Sequence, residues 1–259
     1  MTGITEYGIN GLLGLGFNGT RASNIDRTIR GTYGPTATWG GPFLSNVFAQ
    51  NTSSPNFIAI DLARTEDLED TSGGSFDIGE YDARYVAIQN APKLPQFPPG
   101  SDSWQTLLDG ITVNGKNIAV TSGVKGVPKG KTVAALDTGT PTSAFTTNVV
   151  NQIYGSVVGA VNAPHDYGWI LPCNATPNIE FSFGYVISEL PLCQGAILIN
   201  LDRGQTFPMH PLDLSTPQEV TLYGKNYTAC FASFIAIDGW SNEYDYLLGD
   251  SFLRNTYTV

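Results

Sequence analysis

Turn-forming residues cut this chain into pieces too short for a helical architecture. Twenty-nine Gly and sixteen Pro are spread through its 259 residues. Gly supplies positive φ and Pro removes a backbone donor, so regular runs between them stay short. Those runs are rich in Val, Ile, Phe and Tyr, residues that suit a pleated, half-buried surface. The pattern predicts a mainly β fold, with strands over Asn56–Asp61, Ser75–Ile78, Tyr85–Ile88, Gly110–Val113, Thr132–Leu136, Trp169–Leu171, Ile179–Phe183, Glu219–Tyr223 and Phe231–Ile237. Asn114-Gly115 is the residue pair of a type I′ hairpin turn. One helix is expected over Thr147–Val158, where Val149, Val150, Ile153, Tyr154, Val157 and Val158 share a face and Gly159 stops it. A shorter one is expected over Leu44–Gln50, and the proline-rich Pro92–Gly100 reads as a stiff connector near a domain boundary.

Charge narrows the function classes. Acidic residues outnumber basic ones 23 to 13, a net charge of -10, which argues against nucleic acid and anionic membrane surfaces as partners. The balance suits a protein working in acid, where protonation relieves carboxylate repulsion. No apolar stretch reaches the roughly 20 residues of a membrane-spanning helix. Met1–Tyr7 has neither the basic region nor the apolar core of a signal peptide. Asn18, Asn51, Asn174 and Asn226 each begin an Asn-x-Ser/Thr sequon, a set that points to a secretory setting. Three cysteines allow at most one internal disulfide, and the pairing is open at this level.

Several motifs are decoys. Gly14-Leu15-Gly16-Phe17-Asn18-Gly19 matches the dinucleotide-binding glycine pattern, but no convincing long helix follows to hold a pyrophosphate. Gly130-Lys131-Thr132 echoes a phosphate-binding loop, yet Lys125 stands where the first glycine belongs and a β-like run follows. His165 and His210 sit beside prolines in loop-like sequence and read as surface residues. With so few His and Cys, neither a metal site nor a cofactor is expected. No Gly-x-Ser-x-Gly nucleophile turn is present.

The sharpest chemical signal is Ala134-Ala135-Leu136-Asp137-Thr138-Gly139-Thr140. An apolar strand delivers Asp137 to a tight turn. The hydroxyl of Thr138 can fix that turn, Gly139 lets backbone N–H groups approach the carboxylate, and Thr140 brings a second hydroxyl. Near the C-terminus comes Leu247-Leu248-Gly249-Asp250-Ser251-Phe252-Leu253-Arg254. The combination resembles the pepsin-like aspartic endopeptidases, which pair an Asp-Thr-Gly loop with a later apolar-apolar-Gly strand and an Asp-x-Phe-hydrophobic-Arg segment. Gly11–Gly16, Gly73–Gly79, Trp104–Lys116, Leu171–Cys173 and Ile179–Phe181 are similar to further family segments, so the resemblance covers nearly all of the chain.

The resemblance implies a pepsin-like bilobal fold. Residues 1–85 would be the tail of the first lobe, and 86–259 the second, catalytic lobe. It implies hydrolysis of peptide or protein substrates by a water activated between two Asp that share one proton. Asp137 would be the second-lobe member and Thr138 an inter-lobe hydrogen-bonding residue. Gly139 and Thr140 would contact substrate, and Leu247, Leu248 and Gly249 would support the loop. Cys173 and Cys230 sit where the family's second-lobe disulfide is found, leaving Cys193 over, and a secreted or vacuolar setting follows by the same resemblance. The pattern also departs from the family. One Asp-Thr-Gly is present, and only ten residues precede Gly11, where the first Asp-Thr-Gly and the flap hairpin would lie. The chain is therefore expected to be truncated relative to its family, with little activity unless a missing N-terminal lobe joins it. A non-catalytic peptide-binding remnant is the alternative, and a symmetric dimer of two Asp137 loops the less favoured third.

Overall fold

The structure is a computed structural model that describes residues 10–16, 23–64, 73–91, 93–163, 168–184, 204–239 and 241–259. Strand outweighs helix. Two helices, α1 (Asn24–Tyr33) and α2 (Phe43–Gln50), precede β1 (Ile58–Asp61) and β2 (Ser75–Ile78). Next come β3 (Gln105–Val113), β4 (Lys116–Asn117), β5 (Thr132–Leu136), β6 (Ser143–Phe145) and helix α3 (Thr147–Gly155). Strands β7 (Val161–Ala163), β8 (Gly168–Leu171), β9 (Ile179–Phe183) and β10 (Gln205–Pro208) follow, then the long hairpin of β11 (Ser215–Leu222) and β12 (Lys225–Ala232). The chain closes with β13 (Phe234–Ala236), β14 (Tyr246–Leu248), the short α4 (Asp250–Leu253) and β15 (Tyr257–Thr258).

Three sheets result. The largest runs β10-β9-β3-β5-β14-β6-β13 with β4 folded onto β3, a second runs β11-β12-β8-β7, and a small one runs β15-β1-β2. The type I′ turn expected at Asn114-Gly115 is present, both residues having positive φ (50° and 76°), and it pairs Val113 with Lys116. Strands β14 and β5 are parallel, and β13 is parallel to β6, so the C-terminal segments thread between elements formed far upstream.

One apolar core lies between the large sheet and α3. The helix buries Val149, Val150, Ile153 and Tyr154, the face its spacing predicts. Phe145, Phe181, Phe234 and Tyr246 meet beneath it with centroid separations of 5.2–6.3 Å, the range of favourable offset and edge contacts. The buried Tyr154 phenol donates to the Leu214 carbonyl and accepts from the Phe234 N–H, both at 3.0 Å, so its polar end is satisfied.

Some expectations give way to tertiary context. Tyr85–Ile88 is not a strand. A 3₁₀ turn covers Val86–Asn90, entered where the Asp82 carboxylate accepts from the Arg84 backbone and guanidinium. The Phe231–Ile237 run is two strands in two sheets. Ser233, buried and bonded to the Leu214 carbonyl at 3.1 Å, marks the crossing. Helix α3 ends three residues early, at Gly155, where Ser156 turns its hydroxyl back onto the Gln152 carbonyl. Strand β3 starts at Gln105, five residues before the expected Gly110, because an irregularity between Leu108 and Gly110 breaks its alternation. Helix α1 was not expected. It is capped by the Ser23 hydroxyl, which accepts from the Asp26 N–H at 3.0 Å, but it carries too few apolar residues to announce itself. The acidic side chain in that first turn, Asp26, is suited to the helix N-terminus and ill-suited to a phosphate neighbour.

Two long-range ties close the fold. Cys173, just after β8, is bonded to Cys230 on β12, closing a loop of 57 residues, worth about 4 kcal/mol in chain entropy. Cys193 lies outside the described residues, as do His165 and the Asn18 sequon. Arg64, just after β1, grips Asp213 with both guanidinium nitrogens, and Asn255 donates to the same carboxylate at 2.8 Å. Both charges are buried, their side chains 7% and 1% exposed. Removing one partner strands the other charge, so Arg64→Ala is expected to lower unfolding free energy by about 3 kcal/mol, measured by urea denaturation. Replacing both Arg64 and Asp213 by Leu should recover most of that loss. A fully stable R64A protein would show that the pair ties nothing.

Candidate active site

The site grows from the end of β5. Val133, Ala134 and Ala135 are buried, so the strand is fixed, and Asp137 emerges one residue beyond it. The backbone pairing continues on both sides of the strand end: the Leu136 N–H donates to the Trp104 carbonyl at 2.7 Å, beside antiparallel β3, and the Asp137 N–H to the Leu248 carbonyl at 3.0 Å, beside parallel β14. The carboxylate is held at both oxygens. The Gly139 N–H donates to Oδ1 at 2.9 Å, and the Thr140 hydroxyl donates to Oδ2 at 2.7 Å. A side chain at position 139 would start 3.1 Å from that Oδ1, too tight to leave the approach undisturbed. Thr138 plays a different part from the one its hydroxyl suggested. It is exposed and makes no hydrogen bond among the described residues, so Thr140 is the residue that fixes the turn.

Leu247, Leu248 and Gly249 lie directly alongside. In β14, Leu248 pairs with Leu136 and Leu247 with Ala135 on one side, and Leu247 pairs with Ala144 on the other. Position 249 tolerates only glycine for a reason of space. A Cβ there would fall 2.1 Å from the Thr142 carbonyl oxygen and 2.2 Å from that of Thr140. The Gly249 N–H donates to the Ser143 hydroxyl at 3.1 Å, and that hydroxyl shares a 2.9 Å hydrogen bond with Ser251, both buried. The next two N–H groups, of Asp250 and Ser251, donate to the carbonyls of Thr140 and Pro141 at 2.8 and 3.1 Å. The whole Asp137 loop is thus clipped onto the start of α4. Ser143 escapes sequence reading because its partner is more than a hundred positions away and is found only through the Leu247–Ala144 register.

Asp137 borders an open cavity of about 620 Å³. The cavity is also lined by the segment 11–16, which belongs to no strand, and by Ile58 and Ile60 of β1. That segment is fastened by the Trp104 indole, which donates to the Leu15 carbonyl at 2.6 Å. Tyr244 also lines the cavity, and its phenol pKa is raised by burial and then by the charges of Asp137 and Glu243. Behind the loop, Asp250 is pushed up to about 6, mainly by burial and secondarily by the Asp137 charge, with Arg254 opposing. One of its oxygens, Oδ1, is buried and takes no hydrogen bond. Among the described residues no group of His, Cys, Asp and Glu could hold a metal ion. Chemically, Asp137 is a carboxylate on a rigid support, facing a cavity large enough for a side chain and a peptide unit, placed to exchange a proton with a bound water.

Two outcomes follow from this geometry. Gly249→Ala should destabilise the protein by more than about 3 kcal/mol or prevent soluble expression, because two backbone carbonyls must move. A G249A protein with wild-type melting would sink the steric account. The second concerns pH. An unfolded Asp ionises near 3.8, whereas folded Asp250 holds its proton to about 6, so the native state binds more protons between those values. Stability from this group is full below pH 4 and is lost as pH rises to 6. The lowered pKa values of Asp82 and Asp238 act below that window and do not offset it. The melting temperature should therefore fall from pH 4 to 6.5, and Asp250→Asn should flatten that part of the profile. A variant profile parallel to wild type would assign the decline elsewhere.

No helix among the described residues is long and apolar enough to cross a membrane. The family model described as Eukaryotic aspartyl protease matches residues 2–259. The chain is 23% identical over 258 residues to the aspartic-type endopeptidase ctsD of Aspergillus fumigatus, covering 100% of this chain and 43% of that protein. It is 25% identical over 222 residues to pepsin A of Rhinolophus ferrumequinum, covering 84% of this chain and 46% of that one. Syncephapepsin of Syncephalastrum racemosum is 24% identical over 258 residues, 97% of this chain and 49% of the relative. The chain thus spans slightly less than half the length of these relatives. Its mainly β architecture is that of the pepsin-like fold, and the chain belongs to the eukaryotic aspartyl protease family.

Proposed function

We propose that this chain furnishes one catalytic carboxylate, Asp137, of an acid endopeptidase that hydrolyses peptide bonds in peptide or protein substrates. The observation that carries the reading is the Asp137 carboxylate, fixed by the Gly139 N–H and the Thr140 hydroxyl at the edge of the cavity. In this role Asp137 accepts a proton from water as it attacks the substrate carbonyl, while a second carboxylic acid protonates the carbonyl oxygen. Leu247, Leu248 and Gly249 hold the loop in place. Thr138, exposed beside Asp137, and Gly139 are left to meet substrate or the facing lobe. Residues 86–259 form the lobe that carries Asp137, and 1–85 belong to the lobe facing it. The second carboxylate comes from sequence or a partner outside this chain, so the isolated chain is inactive.

A secretory or vacuolar setting accompanies this reading. The Cys173–Cys230 disulfide favours an oxidising compartment, and three sequons, at Asn51, Asn174 and Asn226, fall on exposed asparagines. A second reading, a non-catalytic peptide-binding protein, is favoured by the single Asp-Thr-Gly in the sequence. Asp137→Asn in the whole gene product separates the two. Cleavage of an unfolded protein substrate in acid should fall by about 10²–10⁴-fold or more, with melting temperature little changed. Cleavage retained in the variant would refute the catalytic role. Peptide binding with no cleavage in either protein would favour the binder.

A further inference from the structure

The β11–β12 hairpin carries a feature that peptide hydrolysis does not use. It consists of two eight-residue strands in full register from Ser215–Ala232 to Leu222–Lys225, joined by Tyr223-Gly224, both with positive φ. Its outer half stands away from the core. Tyr223 at the tip is fully exposed, and positions 225–228 are all exposed. The Asn226-Tyr227-Thr228 sequon lies on this outer half.

Alternation puts Asn226, Thr228 and Cys230 on one face of β12, opposite Thr221, Glu219 and Pro217. Cys230 is the buried inner end of that row, bonded to Cys173, so the row is anchored at one end and solvated at the other. On the solvated part the cross-strand pairs are satisfied by side chains. The Thr221 hydroxyl donates to Asn226 Oδ1 at 2.8 Å, and the Thr228 hydroxyl donates to Glu219 at 2.8 Å. Asn226 therefore uses its oxygen to hold the hairpin and leaves Nδ2, the nitrogen a sugar would occupy, turned to water with no partner among the described residues. Asn51 is arranged the other way, because its Nδ2 donates to the Ser54 hydroxyl at 2.6 Å within a tight turn. A sugar on Asn51 must break or bend that contact, whereas one on Asn226 disturbs none.

We infer that Asn226 is an N-glycan acceptor and that its glycan covers the outer half of the exposed β11–β12 hairpin. The inference rests on the secretory setting proposed above. In the transfer, Asn226 Nδ2 bonds to the anomeric carbon of a lipid-linked oligosaccharide. The bond from that carbon to the lipid pyrophosphate breaks, the pyrophosphate leaves with the electron pair, and the displaced amide proton passes to base. Among the described residues β11 is the edge strand of its sheet, and an edge of this kind is a template for pairing with another chain. A bulky hydrophilic group two positions in from the hairpin tip blocks approach to that edge and to the exposed Tyr223.

The test is glycopeptide mapping of the whole gene product secreted from a yeast host, with enzymatic deglycosylation in ¹⁸O-water to mark each former glycan site as labelled Asp. The Asn226 peptide should carry the label, and Asn226→Gln should lose the mass of one glycan. Thr228→Val, which keeps the β-branched shape, should lose the same glycan, and Thr228→Ser should restore it. An Asn226 peptide recovered unmodified from the secreted protein overturns the site. If yeast-secreted protein is modified at Asn226 while native protein from its own source carries sugar at no sequon, the acceptor stands and the secretory reading falls.

Discussion

Everything at the site depends on the absence of a side chain at position 249. Strand β14 can lie between β5 and β6 only if the residue that follows it, Gly249, passes in close contact with the Thr140 and Thr142 carbonyls. That passage lets the N–H groups of Asp250 and Ser251 reach the carbonyls of Thr140 and Pro141, and it aligns the Leu248 carbonyl with the Asp137 N–H. Three backbone hydrogen bonds then define a loop that would otherwise be a free turn. The direction of the Asp137 carboxylate is a consequence of them, since Gly139 and Thr140 reach its oxygens only from this loop shape.

The same C-terminal segment contains, or touches, two carboxyl groups withdrawn from water in different ways, Asp213 buried and Asp250 half-buried. Asp213 is neutralised by Arg64 across two hydrogen bonds and by Asn255, so burial leaves it with partners for its charge. Asp250 sits one turn from Arg254, but that guanidinium also reaches toward Asp213, at 4.0 Å, and Asp250 keeps an oxygen with no hydrogen bond. The cheapest state of such a group is neutral. One segment therefore contains a buried charged fastening and a carboxyl that favours acid, the latter directly behind the Asp137 loop.

Much of this was legible in the chain itself, and the misses share a cause. Strands bounded by turn residues on both sides, such as Ser75–Ile78, Thr132–Leu136 and Ile179–Phe183, appear with the boundaries their composition sets. Helix α3 was visible because its apolar positions have helical period. Tyr85–Ile88 has strand composition but no neighbour to pair with, and strand composition without a partner is not a strand. Phe231–Ile237 reads as one apolar run although Ser233 sends it into a second sheet, a distinction that only the Leu214 contact makes. At the site, Asp137, Gly139 and Gly249 follow from local pattern. Ser143, Trp104 and Tyr244 do not, because each acts through a residue tens of positions away.

The hydrogen bonding of Asp137 constrains what a single such group can do. Both of its oxygens accept hydrogen bonds from its own loop, which fixes the orientation of the carboxyl group. Peptide hydrolysis also needs a proton delivered to the carbonyl oxygen as the tetrahedral intermediate forms. Of the other titratable side chains lining the cavity, Tyr244 is moved away from that role, since burial and the Asp137 charge raise its pKa and make it a weaker acid. Asp102 is the remaining side-chain acid on the described lining, two residues before Trp104. On the proposed reading that proton comes from a carboxylic acid outside this chain, not from Asp102. On that reading this chain supplies one group of a pair, held just past the end of β5 at the edge of an open cavity.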